Sequence, residues 1–284
     1  MHEFELIKNY FSKIAKKNKS ALNLNDDVFF DKKRGIVISV DTYNIGTHFI
    51  NFKSPDLVIK KILRSSISDL ICKGVKPKFY FISGSGSKKT FTKNNLYKIS
   101  KSLKSEQNKF NIELCGGDTT FSNKLSFTIT SLGYSKKIIY RNKAKLNDDI
   151  YVNGNLGDSY LGLKVLSNKA KFKNKDKLFF LDKYYKPKLP LNLTKYLLKF
   201  ANSSIDVSDG LIADLSKMIN RQNLSFHLFE KKIPVSKKLN NYIKNHDLNK
   251  INLISNGDDY QVLFTASINK ARIIQNASKQ LELK

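Results

Sequence analysis

The sequence predicts an α+β (mixed α/β) fold arranged as two domains, on three observations. At 284 residues the chain exceeds what one ordinary core supports. Strand-like and helix-like segments alternate, but without the regular βαβ repeat of a doubly wound sheet. Periodicity lapses and charge rises around "KKIIYRNKAKLNDD", which sets the expected domains at residues 1–138 and 139–284.

The elements follow in order. "HEFELIKNYFSKIAKK" places Phe4, Ile7, Phe11 and Ile14 on a helical stripe. "VFFDKKRGIVISV" reads as a hairpin whose polar turn ends at Gly35. "SPDLVIKKILRSSISDLICKG" reads as a helix capped by Ser54, with Pro55 at its first position and Gly74 just past its end. "FYFIS" and "LSFTITSLGY" read as strands with the helix "NNLYKISKSLKSEQ" between them, and "FNIELC" as a strand that breaks at Gly116–Gly117. The second half opens with the strand "DIYVNG", a turn and the helix "SYLGLKVL". A lysine-rich insertion near residues 168 to 177 precedes the helix "LNLTKYLLKFA".

Composition narrows the classes. Hydrophobic residues are 40% and charged residues 26%, which fits a globular chain. No apolar run approaches a membrane span and the N-terminus has no signal-peptide core, so no membrane partner is expected. Cys72 and Cys115 lack metal-ligand spacing and fit a reducing, cytoplasmic setting. The net charge of +27 invites a nucleic-acid reading. Its lysines, however, are spread over many helices and turns with no interleaved aromatic motif, so nucleic acid is not the expected partner. A positive field would still attract small anions.

Acids are scarce, 24 against 51 Lys and Arg, and they are gathered. "SSIDVSDGLIADL" puts Asp206, Asp209 and Asp214 where an apolar segment runs into a turn. Ser208 reads as a helix N-cap and Asp209 suits the positive helix end, which leaves Asp206 unexplained. With a hairpin turn near 31 to 34, residue 27 lies across from about residue 39. Asp27 and Asp41 then emerge at the same end beside Ser39, and repel unless a cation lies between them. Asp69 falls in the last turns of its helix, where the dipole disfavours a carboxylate by about 0.3–1 kcal/mol. Ser65, Ser66 and Ser68 around it are small enough to let another backbone or a ligand approach. In "CGGDTT" two glycines let main-chain N–H groups and Asp118 approach one ligand.

Such oxygen donors suit Mg²⁺ together with phosphates. The four His residues are scattered, so no zinc site is expected. "GSGSKKT" has the wrong spacing for a P-loop, and neither a dinucleotide fingerprint nor a nucleophile elbow is present. The residues alone point to metal-dependent chemistry on phosphates without a Walker motif.

Taken in order, "EFELIKNYF", "NDDVFF", "ISVDTYNIGTHF", "SISDLICKGVKP", "CGGDTT", "RNKAKLNDDIYVNGNLGDSYLGL", "IDVSDGLIADL" and "SNGDDYQVLFT" resemble the thiamine-monophosphate kinase family. That family lies in the aminoimidazole-ribonucleotide-synthetase-like ATP-binding superfamily, and the resemblance runs from residue 3 to about 265. It implies two α/β domains, the first forming a homodimer through its sheet, with ATP in the groove between them. It implies phosphorylation of thiamine monophosphate to thiamine diphosphate with ATP and several Mg²⁺ ions. By the same resemblance Asp27, Ser39, Asp41, Asp69, Asp118, Asp206 and Asp209 ligate the ions. Gly117, Asp118, Arg141 and Ser208 contact ATP, and His48 and Asp258 face the thiamine phosphate. No catalytic general base is expected, because the attacking phosphate oxygen is already largely ionised.

Several positions depart from the family pattern. Asn25 replaces a glycine, and Val40, also in the implied metal site, replaces a threonine and removes its hydroxyl. Asp258 is one methylene shorter than the expected Glu, and the segment after Ala266 lacks the expected glycine- and aromatic-bearing tail. These departures bear on substrate affinity; the main metal-binding acids are intact. The alternatives are a selenophosphate synthetase-like or hydrogenase-maturation-like enzyme, or a non-catalytic nucleotide-binding relative. The two enzymes need an N-terminal glycine-rich or Lys/Cys-bearing motif that is not seen before Asp26.

Overall fold

The computed structural model describes residues 3–283. The chain starts with α1 (Glu3–Leu6), one π-helical turn (Ile7–Phe11) and α2 (Ser12–Ala15). The segment is helical as expected, but the π-helical turn breaks its period, and Phe11 and Ile14 are exposed, so the stripe is not a core face. The side chain of Phe4 lies outside the described residues.

The hairpin forms from β1 (Phe29–Asp31) and β2 (Ile36–Asn44), with Gly35 at φ 73° closing the turn. Phe29 pairs with Ile38, which would bring residue 27 opposite 40, one position from the expected register. Next come α3 (Pro55–Cys72), β3 (Pro77–Gly86), α4 (Lys93–Phe110), β4 (Glu113–Gly116), β5 (Thr119–Phe121) and β6 (Ser126–Tyr134). They make a six-stranded sheet in the order β1-β2-β6-β3-β4, with β5 beside β3. Period-2 alternation turns Val37, Ser39, Tyr43, Phe127 and Ile129 inward under α3 and α4. The opposite face carries Val40, Phe81 and Tyr134 exposed, an apolar surface that the described residues leave uncovered.

The second half contains β7 (Asp148–Val152), α5 (Asp158–Leu166), α6 (Asn174–Tyr185), α7 (Thr194–Phe200), β8 (Ser203–Asp206) and α8 (Leu211–Met218). It continues with α9 (Lys237–Asn245), α10 (Lys250–Ile254), β9 (Val262–Ser267) and α11 (Ala271–Gln280). Three of its strands form an antiparallel sheet in the order β7-β9-β8. The lysine-rich stretch leads directly into α6, which its charge concealed; Phe180, Tyr184 and Tyr185 are the buried face. Among the described residues no helix is long and apolar enough to cross a membrane.

Helix α3 connects the halves. It packs on β2 and β6 from one side and on β8, β9, α6 and α7 from the other. Fourteen of its eighteen residues are buried, so it must be apolar or paired nearly all round. Pro55 starts it and Gly74, at φ 77°, follows its end as expected, but the Ser54 side chain makes no cap hydrogen bond. Its buried Arg64 donates through Nε and Nη2 to both carboxylate oxygens of Glu106 on α4, at 2.7 and 2.9 Å, and through Nη1 to the Pro187 carbonyl. Removing one member strands a charge in the core, which typically loses about 3–5 kcal/mol. Glu106→Ala is therefore expected to lower unfolding free energy by about that much in urea melts; a loss under ~1 kcal/mol would show the pair to be dispensable.

Candidate active site

A groove of about 750 Å³ opens where the ends of several elements meet. β2 and the loop after it bring Asp41, Tyr43 and His48; α3 brings Ser65 and Asp69; the segment before β1 brings Asp26 and Asp27. The link between the sheets brings Arg141, the end of β8 Asp206, and the next turn Ser208 and Asp209. Lys217 from α8 and Asp258 and Tyr260 from the loop before β9 complete it.

The acids fall into two electrostatic groups. Asp27 is neutralised by the chain itself: Lys73 Nζ and Arg141 Nη1 each approach its carboxylate to 2.7 Å. Burial alone would raise its pKa, but those cations hold it at about 2. Lys73 is fully buried and also reaches Asp26 at 2.7 Å and the Ser204 carbonyl at 3.0 Å. Burial opposes its charge, yet the two aspartates push its pKa up. Lys217 bridges Asp209 and Asp214 in the same way.

Among the described residues, no Lys or Arg forms an ion pair with Asp41, Asp69 or Asp206. Burial raises Asp41 to about 6, with the Asp27 charge adding to it. Burial and then the charges of Asp41 and Asp206 raise Asp69 well above the usual range. Burial raises Asp206 to about 7, against a hydrogen bond from Ser68. Ser39 donates its hydroxyl to Asp69 and Ser68 donates to Asp206, while Asp41 Oδ2 is buried with no hydrogen-bond partner among the described residues. Among the described residues no three acid, His or Cys side chains converge tightly enough to enclose an ion as they stand. The donor set still fits one: it is all oxygen, faces one groove and is short of positive charge.

The turn after β8 differs from expectation. Ser208 does not cap α8, which starts at Leu211. Instead the buried Asp214 accepts hydrogen bonds from the Asp209 and Gly210 N–H groups, each at 3.0 Å. The loop at 257–260 packs backbone to backbone on this turn, with Asp258 N–H donating to the Ser208 carbonyl and Tyr260 N–H to the Val207 carbonyl. A Cβ at Gly257 would lie 2.0 Å from the Ser208 carbonyl oxygen, so only glycine fits there.

Asp258, itself left-handed at φ 62°, accepts from Lys61 Nζ at 2.6 Å and from the Tyr260 hydroxyl at 3.1 Å. The Lys61 ammonium also lies 3.7 Å from the centre of the Tyr184 ring. His48 Nδ1 accepts the Asn44 N–H at 3.0 Å, which leaves the ring proton on Nε2. Burial lowers its pKa, so the ring is neutral near pH 7.

Of the residues singled out in the sequence, Asp27, Asp41, His48, Asp69, Arg141, Asp206, Ser208, Asp209 and Asp258 line this groove. Ser39 stands behind it on Asp69. Val40 reaches its rim, but alternation turns its side chain to the exposed sheet face. Gly117 and Asp118 are not in this chain's groove. They are exposed between β4 and β5, with β6 and β3 separating them from Asp41, about three strand spacings or ~14 Å away. There Asp118 accepts the Gly84 N–H on its carbonyl, and a Cβ at Gly117 would collide with the Ile82 carbonyl. Sequence reasoning missed Lys61, Lys73, Lys217 and Tyr260. The one signal was that Lys61 and Lys73 interrupt an apolar helix and its end.

Comparisons with known proteins bear on the family and the fold. A family model described as AIR synthase related protein, N-terminal domain, matches residues 23–135. The thiamine-monophosphate kinase of Buchnera aphidicola subsp. Acyrthosiphon pisum is 35% identical over 286 residues, covering 96% of this chain and 86% of that relative. The thiamine-monophosphate kinase of Haemophilus influenzae is 34% identical over 272 residues, covering 93% and 81%. A solved structure of AaThiL complexed with AMPPCP and TMP matches with a TM-score of 0.85 at 27% identity, covering 94% of this chain and 86% of that one.

Carboxyl groups whose pKa rises on folding stabilise the fold while protonated. That contribution is complete below about pH 4 and is lost as pH climbs through the folded values of about 6 for Asp41 and about 7 for Asp206. A tenfold change in proton affinity between the unfolded and folded chain is worth about 1.4 kcal/mol. In EDTA, stability should therefore fall by a few kcal/mol between about pH 4 and 7.5. Thermal melts of Asp206→Asn should show a flatter decline over that window; an unchanged slope would mean that Asp206 is not held against its charge.

Proposed function

The chain belongs to the thiamine-monophosphate kinase family, and from that premise we propose that its groove transfers the γ-phosphoryl group of ATP to thiamine monophosphate, releasing thiamine diphosphate and ADP. The observation that carries the reading is the trio Asp41, Asp69 and Asp206, half-buried to buried in one groove without a cation of the described chain. A solved relative complexed with AMPPCP and TMP supports the substrate pair. The free thiols Cys72 and Cys115, the latter exposed, support a reducing cytoplasm.

A phosphate oxygen of thiamine monophosphate attacks the γ-phosphorus, and the bond to the β,γ-bridging oxygen breaks. The attacking group's second pKa is about 6, so it needs no base. The obstacle is repulsion: one pair of unit charges 4 Å apart costs about 4 kcal/mol at an effective dielectric of 20. Mg²⁺ bound by Asp41, Asp69 and Asp206 would supply the countercharge and align the in-line transfer. Ser39, through its hydroxyl on Asp69, orients one of those carboxylates. Arg141, steered by Asp27, reaches phosphate oxygens, and the Ser208 turn takes the nucleotide. His48 donates from Nε2 toward the thiamine phosphate, and Lys61 and Tyr260 hold the Asp258 carboxylate on that side.

Gly117 and Asp118 belong, on this reading, to the neighbouring groove of a homodimer formed through the exposed sheet face. That face bears Val40, Phe81 and Tyr134, and the two outer-strand residues lie beyond reach of their own groove. Residues 1–138 and 139–284 are the two domains that flank each groove.

Tracking of γ-³²P into thiamine diphosphate tests the reaction directly. Asp41→Asn and Asp206→Asn are expected to lower kcat by about 100-fold or more with circular dichroism unchanged, as loss of a metal-anchored transition-state contact would. Near-parental turnover of both at saturating Mg²⁺ would sink the metal assignment. Phe81→Asp is expected to shift the chain from dimer to monomer in sedimentation velocity and to abolish turnover. A monomeric variant with full activity would remove Asp118 from the site.

A further inference from the structure

Lys217 differs from the other cations in the groove. Its ammonium lies 2.6 Å from Asp209 Oδ2 and 2.7 Å from Asp214 Oδ1, and its side chain, 17% exposed, lines the cavity. Asp214 is wholly buried, and its other oxygen is already used by the Asp209 and Gly210 N–H groups. That carboxylate therefore has no free oxygen left for an ion. An ammonium has three N–H donors in all. Two are taken by Asp209 and Asp214, and among the described residues nothing takes the third, which is left for an oxygen entering the groove. The arrangement is charged, preorganised and tied to α8 at one turn's distance from its partner.

We propose that Lys217 is a built-in cation at the Asp209 corner of the groove: its ammonium takes the place of a divalent ion there and donates to a phosphate oxygen of the nucleotide, so that Asp209 anchors Lys217 rather than a metal. This rests on the phosphoryl-transfer reading of the groove. It assigns Lys217 as a phosphate-contacting residue and leaves the divalent ions to Asp41, Asp69 and Asp206. The reason is electrostatic. A carboxylate already neutralised by a tethered ammonium has little to offer a hydrated Mg²⁺, which gives up its waters reluctantly. The three acids without a countercharge have much more to gain.

Ion counting separates this from the kinase assignment, because it needs no turnover and no thiamine monophosphate. Bound Mn²⁺ is counted by electron paramagnetic resonance at saturating AMPPCP for the parent, Asp209→Asn, Lys217→Met and Asp206→Asn proteins. Asp209→Asn, a change at an exposed side chain, is expected to bind as many ions as the parent, whereas Asp206→Asn binds fewer. In EDTA, Lys217→Met is expected to bind AMPPCP about tenfold more weakly than the parent, with Lys217→Arg restoring most of the loss. Loss of one Mn²⁺ in Asp209→Asn would overturn the proposal, as would unchanged metal-free AMPPCP affinity in Lys217→Met. Neither result depends on which phosphate acceptor the enzyme uses.

Discussion

Negative charge gathered without a matching cation is the constraint from which the rest of this structure follows. Asp41, Asp69 and Asp206 come from a strand, a helix and a second strand that are far apart in the chain. Even so, Asp41 and Asp206 both raise the pKa of Asp69, and Asp41 raises that of Asp206. Single hydroxyl donors, Ser39 and Ser68, satisfy one oxygen of Asp69 and of Asp206, and Asp41 Oδ2 has none among the described residues. Such a cluster opposes folding unless it is protonated or joined by a cation. Around it the chain has placed its own compensations: Lys73 and Arg141 on Asp27, Lys217 on Asp209 and Asp214, and Lys61 on Asp258. The uncompensated remainder is what a nucleotide and its metal ions would complete.

Helix α3 shows how closely fold and site are joined. Its Asp69 stands near the C-terminal end, where the helix dipole works against a carboxylate. The same helix carries Lys61 to Asp258 and Arg64 to Glu106, so one element aims groove residues and ties α4 to the core. The serines at 65, 66 and 68 serve both purposes. Ser66 lies 3.4 Å from Ser131 of β6 by their hydroxyls, Ser65 lines the groove, and Ser68 bonds Asp206 of the second sheet. Larger side chains would push the sheets apart.

Much of this was legible in the residues. The hairpin at 28–40, the Pro55 start and Gly74 stop of α3, and the alternation of 126–134 are local signals, and local signals survive into the fold. Asp206 stood out because capping could not explain it, and it lines the groove. What could not be read was long-range pairing. Lys73 meets Asp27 across 46 positions and Lys61 meets Asp258 across 197, and nothing in a linear pattern announces such partners. The Ser208 cap failed for a related reason: Asp214, five residues on from Asp209, outcompetes it for the free N–H groups. Gly117 and Asp118 fell outside the groove because strand order, unlike strand existence, is not written in periodicity. The +27 net charge likewise concealed a site dominated by acids.

Because α3 is wedged against both sheets, the walls of the groove cannot swing apart like a clamshell without baring Val58, Ile62, Leu63 and Ile67 to solvent. Their spacing is set by the girth of a helix, about 10–12 Å with side chains. Traffic of nucleotide and product must then pass over the turns at 44–51 and 255–260, while the gap itself keeps its width.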